Sequence, residues 1–227
     1  MGASNNSAII VFLKNFEPGQ VKTRLARTLG DAVAMEIYRR MCDYIVTEVQ
    51  NTGLLAYYFF SDFIDQSYLR DLGVKEEDET VKLAVQTAGD LGDRMRSAFH
   101  VVLKNHSHAL IIGTDCPYLN ADSILQSVEV LESTRVDVVI GPAADGGYYA
   151  LGMDQSYELF SGIPWSTGRE LAQTMGRCKD LGLQYALLPE LEDIDNEEDW
   201  NAFRSSSYYA YFEEVINSNS SRKDTDG

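Results

Sequence analysis

The chain has 227 residues, 44% of them apolar and 24% charged, with 19 lysines and arginines against 35 aspartates and glutamates. That length suits one α/β domain with a continuous core, stable without disulfides or a structural metal. A net charge of −16 excludes a nonspecific binder of nucleic-acid polymers and a protein held to anionic lipid by charge.

The first seven residues, Met1 to Ser7, carry neither a basic nor an apolar leader region, and Asn6 stands where a myristoylation signal has Ser or Thr. No apolar run approaches the ~18 residues of a membrane span. Cys42, Cys116 and Cys178 are odd in number and far apart, which argues against a disulfide framework and for a reducing cytosol.

Seven short runs read as strands: Ala8–Leu13, Leu54–Phe60, Val81–Gln86, Ala109–Gly113, Asp137–Gly141, Tyr148–Gly152 and Gln184–Leu188. Helical spacing separates them. Ala34, Ile37, Met41, Tyr44, Ile45 and Val49 predict a helix capped by Asp31 and stopped at Gly53. Met95, Ala98, Phe99, Val102 and Leu103 predict a second. Ile124, Leu125, Val128 and Leu131 predict a third, capped by Asn120. Thr167-Gly168-Arg169-Glu170 reads as a capping box before a fourth. Tyr208 to Ile216 forms an aromatic-rich last helix, at about 206–217, free to pack on the core of about 8–204 or on another subunit. Residues 218–227 read as a polar tail. Alternating strands and helices predict a three-layer, Rossmann-like sandwich around a mostly parallel sheet.

Ligands of such sheets bind beyond the carboxyl ends of the strands, so the loops after the strands matter most. After the first, Lys14 to Arg27 holds four cations and one acid. It lacks the P-loop glycine at Val21, and no G-x-G-x-x-G occurs in the chain. Gly19 permits a tight turn whose backbone N–H groups, beside Lys14, Lys22 and Arg24, suit a polyphosphate; a solvated surface loop is the alternative. After the third, Gly89-Asp90-Leu91-Gly92 enters a helix and suits a base or phosphate, or simply caps that helix. After the fourth, Asp115 before Cys116-Pro117 is placed to hold a hard cation, or to cap a turn. Cys116 has no histidine linked to it and reads as a small residue in a tight loop. Asp145-Gly146-Gly147 allows close approach of a ligand, with Asp145 accepting from hydroxyls, but also makes an ordinary hairpin turn. Late in the chain Asp193 and Asp195 flank Ile194, and in an extended strand only one of them can meet Asp115.

Taken together, Lys14…Pro18-Gly19-x-x-Lys22-Thr23-Arg24-Leu25, Gly89 to Met95, Gly113-Thr114-Asp115-Cys116-Pro117, Gly141 to Tyr148, Trp165-Ser166-Thr167 and Asp193-Ile194-Asp195 resemble a bacterial family from about Ile9 to Trp200. It is the glycosyltransferase-A-like family of radical-SAM/selenodomain-associated transferases, in the nucleotide-diphospho-sugar transferase superfamily and akin to 2-phospholactate guanylyltransferase. Phe16 and Cys116 depart from the proline and serine usual there. The resemblance implies a nucleotide over the N-terminal half, Asp115 and Asp195 on Mg²⁺ or Mn²⁺, and Lys14, Lys22 and Arg24 on phosphates. It places Asp145, Gly146, Gly147 and Trp165 on the acceptor side.

The expected reaction is nucleotidyl transfer from a nucleoside triphosphate to a small phosphorylated or carboxylated acceptor, with Lys22, Arg24 and Asp145 as catalytic groups. Glycosyl transfer from a nucleotide sugar and a non-catalytic nucleotide-binding module are the alternatives.

Overall fold

A computed structural model describes residues 6–17, 19–74, 78–133 and 135–225. In chain order the elements are β1 (Ser7–Leu13), α1 (Thr23–Leu29), α2 (Asp31–Asn51), β2 (Leu55–Phe60), α3 (Gln66–Asp71), β3 (Val81–Val85), α4 (Leu91–Val102) and β4 (His108–Ile112). They continue with α5 (Ala121–Leu131), β5 (Val138–Pro142), β6 (Tyr148–Met153), α6 (Glu170–Asp180), β7 (Tyr185–Leu187), α7 (Glu197–Arg204) and α8 (Tyr208–Thr225).

The strands form one sheet in the order β3-β2-β1-β4-β6-β5-β7. All neighbours run parallel except β6, which is antiparallel to β4 and β5. β1 lies centrally because both its faces are apolar, as a parallel strand covered on both sides requires. Ile9, Val11 and Leu13 enter one core with α1, α2, α5, α7 and α8. Ala8 and Ile10 enter the other, with Met95, Ala98 and Phe99 of α4 and Cys178 of α6. The three expected layers follow from that alternation. From β1 the chain passes to β2 on one side, while β4 lies on the other with Val11 opposite Ile112. The crevice at this switch is where the charged loops meet.

Local chemistry explains the helix ends. Asn120 accepts from the Ser123 amide and caps α5, and Gly53 follows α2 with φ +67°. Two starts differ from expectation. Gly30, not Asp31, is the N-cap of α2. The box at Thr167 closes only by half: Glu170 accepts from the Thr167 amide, while α6 begins at Glu170 itself. Three short helices escape periodicity: α3, capped by Asp65, and two more. α1 buries only Leu25, and α7 hides in the acidic run, where Asn196 and Asp199 form a reciprocal cap.

α8 runs on to Thr225, past the point where a polar tail is expected, and it packs on the domain. Phe212 is fully buried with Val215 and Ile216, Arg40 meets Glu213 at 2.6 Å, and its guanidinium lies 5.5 Å from the Phe212 ring centre. Among the described residues no helix is long and apolar enough to cross a membrane.

Candidate active site

Asp115 follows the end of β4, and its carbonyl accepts from the Ile194 amide at 2.9 Å. That bond draws the segment after β7 across the sheet edge. Ile194 is buried and its own carbonyl accepts from the Lys22 ammonium. Asp193 and Asp195 both line the cavity, and of the two it is Asp195 that shares Lys22 with Asp115. The segment is not a strand, so side chains need not alternate between faces.

Lys22 is the centre of this arrangement. Its φ of +47° is a left-handed conformation that a non-glycine residue adopts only under tertiary constraint. Its side chain is 4% exposed, and Nζ lies 2.8 Å from Asp115 Oδ1 and 3.5 Å from Asp195 Oδ1. With the Ile194 carbonyl these acceptors account for its three donors. The resemblance sets Lys22 on phosphates; the structure places its ammonium beneath the carboxylates.

Charge explains why an ammonium persists there. Burial works to lower the Lys22 pKa, but Asp115, Asp195 and Asp193 outweigh it and hold the pKa above its usual value. Burial likewise works to raise Asp115, and Lys22 with Lys14 holds it below the ordinary carboxylate value. Asp193, which has no such partner at contact distance among the described residues, is pushed up to about 7, by burial first and by the Asp115 charge second. Cys116 is buried and its thiol pushed well up by that burial, which suits packing and not a nucleophile.

Above the pair opens a cavity of about 1170 Å³. Lys14, Arg24, Asp115, Asp145, Gly147, Trp165 and Asp195 line it. Arg24 is 69% exposed and lies 3.5 Å from Asp195 Oδ2. Gly19, Gly89, Asp90, Gly92 and Gly146 do not line it, and each has another duty. Gly19 supplies a left-handed turn at φ +78°. Asp90 caps α4 through the Asp93 amide, and a Cβ on Gly89 would collide with the Asp93 side chain. A Cβ on Gly92 would stand 2.7 Å from the Trp165 ring. One on Gly146, at φ +89°, would stand 2.2 Å from the Gly168 carbonyl oxygen. At Gly89, Gly92 and Gly146 the missing side chain lets other parts of the protein approach the backbone.

Several cavity residues were not singled out by sequence. Tyr38 Oη accepts from the Lys14 amide at 2.8 Å and from Thr114 Oγ1 at 3.4 Å, joining the first loop to the β4 end. The buried Asn15 amide donates to the Phe63 carbonyl at 2.9 Å and accepts from Ser61 Oγ at 3.1 Å. Arg94 reaches the cavity with Nε on the Gly89 carbonyl at 3.1 Å. Of these only Arg94 had a signal, its place in the loop that enters α4.

The group gathered at Asp115 and Asp195 is all oxygen, and Lys22 already stands between the two as a cation. Among the described residues no cluster of three or more acid, histidine or cysteine ligands forms. Mg²⁺ commonly uses one or two carboxylates and completes its shell with water and phosphate. The residues fit such an ion if the Lys22 ammonium yields its place.

Residues 46–167 match the family described as "uncharacterized protein conserved in bacteria (DUF2064)". The sequence has no match among the curated proteins. Among solved structures, a protein from Desulfovibrio desulfuricans G20 assigned to the nucleotide-diphospho-sugar transferases is 26% identical with a TM-score of 0.80, over 95% of this chain and 98% of that one. A cytidylyltransferase from Leptospira borgpetersenii is 13% identical with a TM-score of 0.56, over 95% of each chain. A mannosyltransferase from Pyrobaculum calidifontis, solved with GDP-mannose and Mn²⁺, is 15% identical with a TM-score of 0.52, over 88% of this chain and 59% of that one. The last two share the fold with this chain.

Proposed function

We propose, for a chain that belongs to the DUF2064 family, a transferase that acts on a nucleotide and transfers a nucleotidyl group from a nucleoside triphosphate. The observation that carries this reading is one cavity in which Lys14, Arg24 and Arg94 face the paired carboxylates of Asp115 and Asp195. Cations of that number suit a polyphosphate, and two carboxylates suit the metal that accompanies it. The relation to nucleotide-diphospho-sugar transferases supports the same class.

In the reaction an acceptor oxygen bonds to the α-phosphorus, the bond from that phosphorus to the β-bridging oxygen breaks, and pyrophosphate leaves. Asp115 and Asp195 would hold a divalent cation, which when bound neutralises charge on the phosphates. Lys14, Arg24 and Arg94 stabilise the leaving pyrophosphate by fixed positive charge. Lys22 would yield its place between the carboxylates to that ion and, still charged, would add to that field. Asp145 orients the acceptor.

The test is pyrophosphate release from nucleoside triphosphates with Mg²⁺ across an acceptor panel. Asp115→Asn should lower the rate by about 100-fold or more. Unchanged Mg²⁺ dependence in that variant removes Asp115 from the site. Release of nucleoside diphosphate without pyrophosphate replaces nucleotidyl by glycosyl transfer, and tight nucleotide binding with no turnover leaves a binding module.

A further inference from the structure

The cavity draws its cations from one side, where Glu17 and Asp62 also line it. Its lining cations, Lys14, Arg24 and Arg94, all come from the first loop, α1 and α4. From Gly113 onward the described lining residues include no Lys, Arg or His, while Asp115, Asp145, Glu170, Asp193 and Asp195 are all acids. Lys22 and Arg24 pair with Asp115 and Asp195, but the lining stretch from Asp145 to Glu170 has no Lys, Arg or His among its described residues, and a phosphorylated or carboxylated acceptor lying against it would meet two carboxylates that repel it.

We infer that the wall built by the β5–β6 turn and the loop before α6 receives an uncharged, polyhydroxylated acceptor, a sugar or polyol, whose hydroxyl attacks the nucleotide. This rests on the nucleotidyl-transfer reading above and narrows its acceptor.

The residues there suit hydroxyls. Asp145 Oδ1 accepts from the Gly147 amide at 2.8 Å, which fixes the carboxylate and leaves Oδ2 to accept from a ligand. Trp165 rests on Gly92, where no side chain would fit beneath it, and lines the same wall. An aromatic ring at a wet cavity offers apolar area to the C–H surface of a sugar. Glu170 is already engaged, accepting from the Thr167 amide at 2.7 Å, so it holds the loop in place.

The wall is also rigid. Gly146 abuts the Gly168 carbonyl, the Leu171 amide donates to the Gly146 carbonyl at 3.1 Å, and Thr167 Oγ1 donates to the Pro164 carbonyl at 3.0 Å. A platform held this way needs little ordering when a ligand arrives. In the step itself the acceptor O–H bond breaks, its oxygen bonds to the α-phosphorus, pyrophosphate departs with the bonding pair, and the proton passes to the Asp145 carboxylate.

The experiment measures calorimetric binding of neutral hexoses and pentitols to the whole chain with Mg²⁺ and nucleoside triphosphate. The same sugars as 6-phosphates or aldonates are the comparison. At least one neutral compound should bind tenfold or more tightly than its charged counterpart. Asp145→Asn, whose amide oxygen can still accept from Gly147, should weaken that binding about tenfold and leave nucleotide affinity within twofold; Trp165→Ala should do the same. Tighter binding of a phosphorylated or carboxylated counterpart overturns the inference, as does failure of every neutral compound beside normal nucleotide binding. If instead nucleotide does not bind while a neutral sugar does, the nucleotidyl-transfer reading falls and the sugar wall stands.

Discussion

The two ends of the sheet place similar residue types in opposite situations. At the amino ends, Ser7 donates to Glu132 at 2.6 Å and Tyr57 pairs with His106 at 3.2 Å. Those contacts close on themselves, and none of these residues lines the cavity at the carboxyl ends. At the carboxyl ends, carboxylates outnumber the cation they share, two residues take left-handed backbone at Lys22 and Ser166, and the excess charge faces a cavity. The comparison teaches that titratable residues alone do not mark a site. Uncompensated charge held in place by constrained backbone does.

The sharpest way to break this contrast is Lys22→Met. It leaves Asp115 and Asp195 without their buried partner, and unfolding in denaturant should show a loss of about 2–3 kcal/mol, less than for a fully buried pair because both carboxylates are 40% exposed. A loss no larger than that of a surface lysine would mean the carboxylates are well hydrated without it.

Next comes Gly146→Ala, which imposes a side chain at φ +89° against the Gly168 carbonyl. Strain of this kind costs about 1–3 kcal/mol, and here the clash falls on backbone. The variant should also weaken acceptor binding more than nucleotide binding, because the β5–β6 turn moves away from the loop before α6.

The pH dependence sharpens the comparison from another side. Asp193 is pushed up to about 7, above its unfolded value, so between about pH 4 and 7 the native state binds more protons than the unfolded chain. Its contribution is therefore most favourable at low pH and is lost as pH rises through about 7. Asp193→Asn should remove that slope from melting temperatures recorded across this range. A slope unchanged by the substitution would assign it to other groups.

The smallest effect belongs to the opposite end of the sheet. Ser7→Ala removes the hydrogen bond to the exposed Glu132 carboxylate and the longer one to His108 and should cost about 1 kcal/mol, with nucleotide affinity unchanged in titration. A change in that affinity would contradict the separation of the two ends.

Much of the fold is legible in the sequence because it depends on local patterns. The seven apolar runs match seven strands, and Asn120 caps its helix through a side chain three residues from its target. α1 is not legible, since a seven-residue helix burying one leucine has no period to read. The site is legible in part. Asp115, Asp195, Lys14, Arg24, Asp145 and Trp165 stand out by chemical type and by their loops, and the structure brings them to one cavity. Tyr38 looks like any core position of α2 until its hydroxyl is found on the Lys14 amide.

What the sequence by itself determined is therefore the inventory: parallel strands, the helices between them, and charged loops at one edge. Periodicity and caps are short-range, so they survive being read one segment at a time. Only tertiary structure decided the use of each residue. It moved Lys22 from the phosphate side to the carboxylates, and turned Gly92 and Gly146 from ligand contacts into packing sites. It also gathered the lining cations on one side of the cavity. Electrostatics and packing act between residues far apart in the chain, where a pattern of neighbours carries no information about distance.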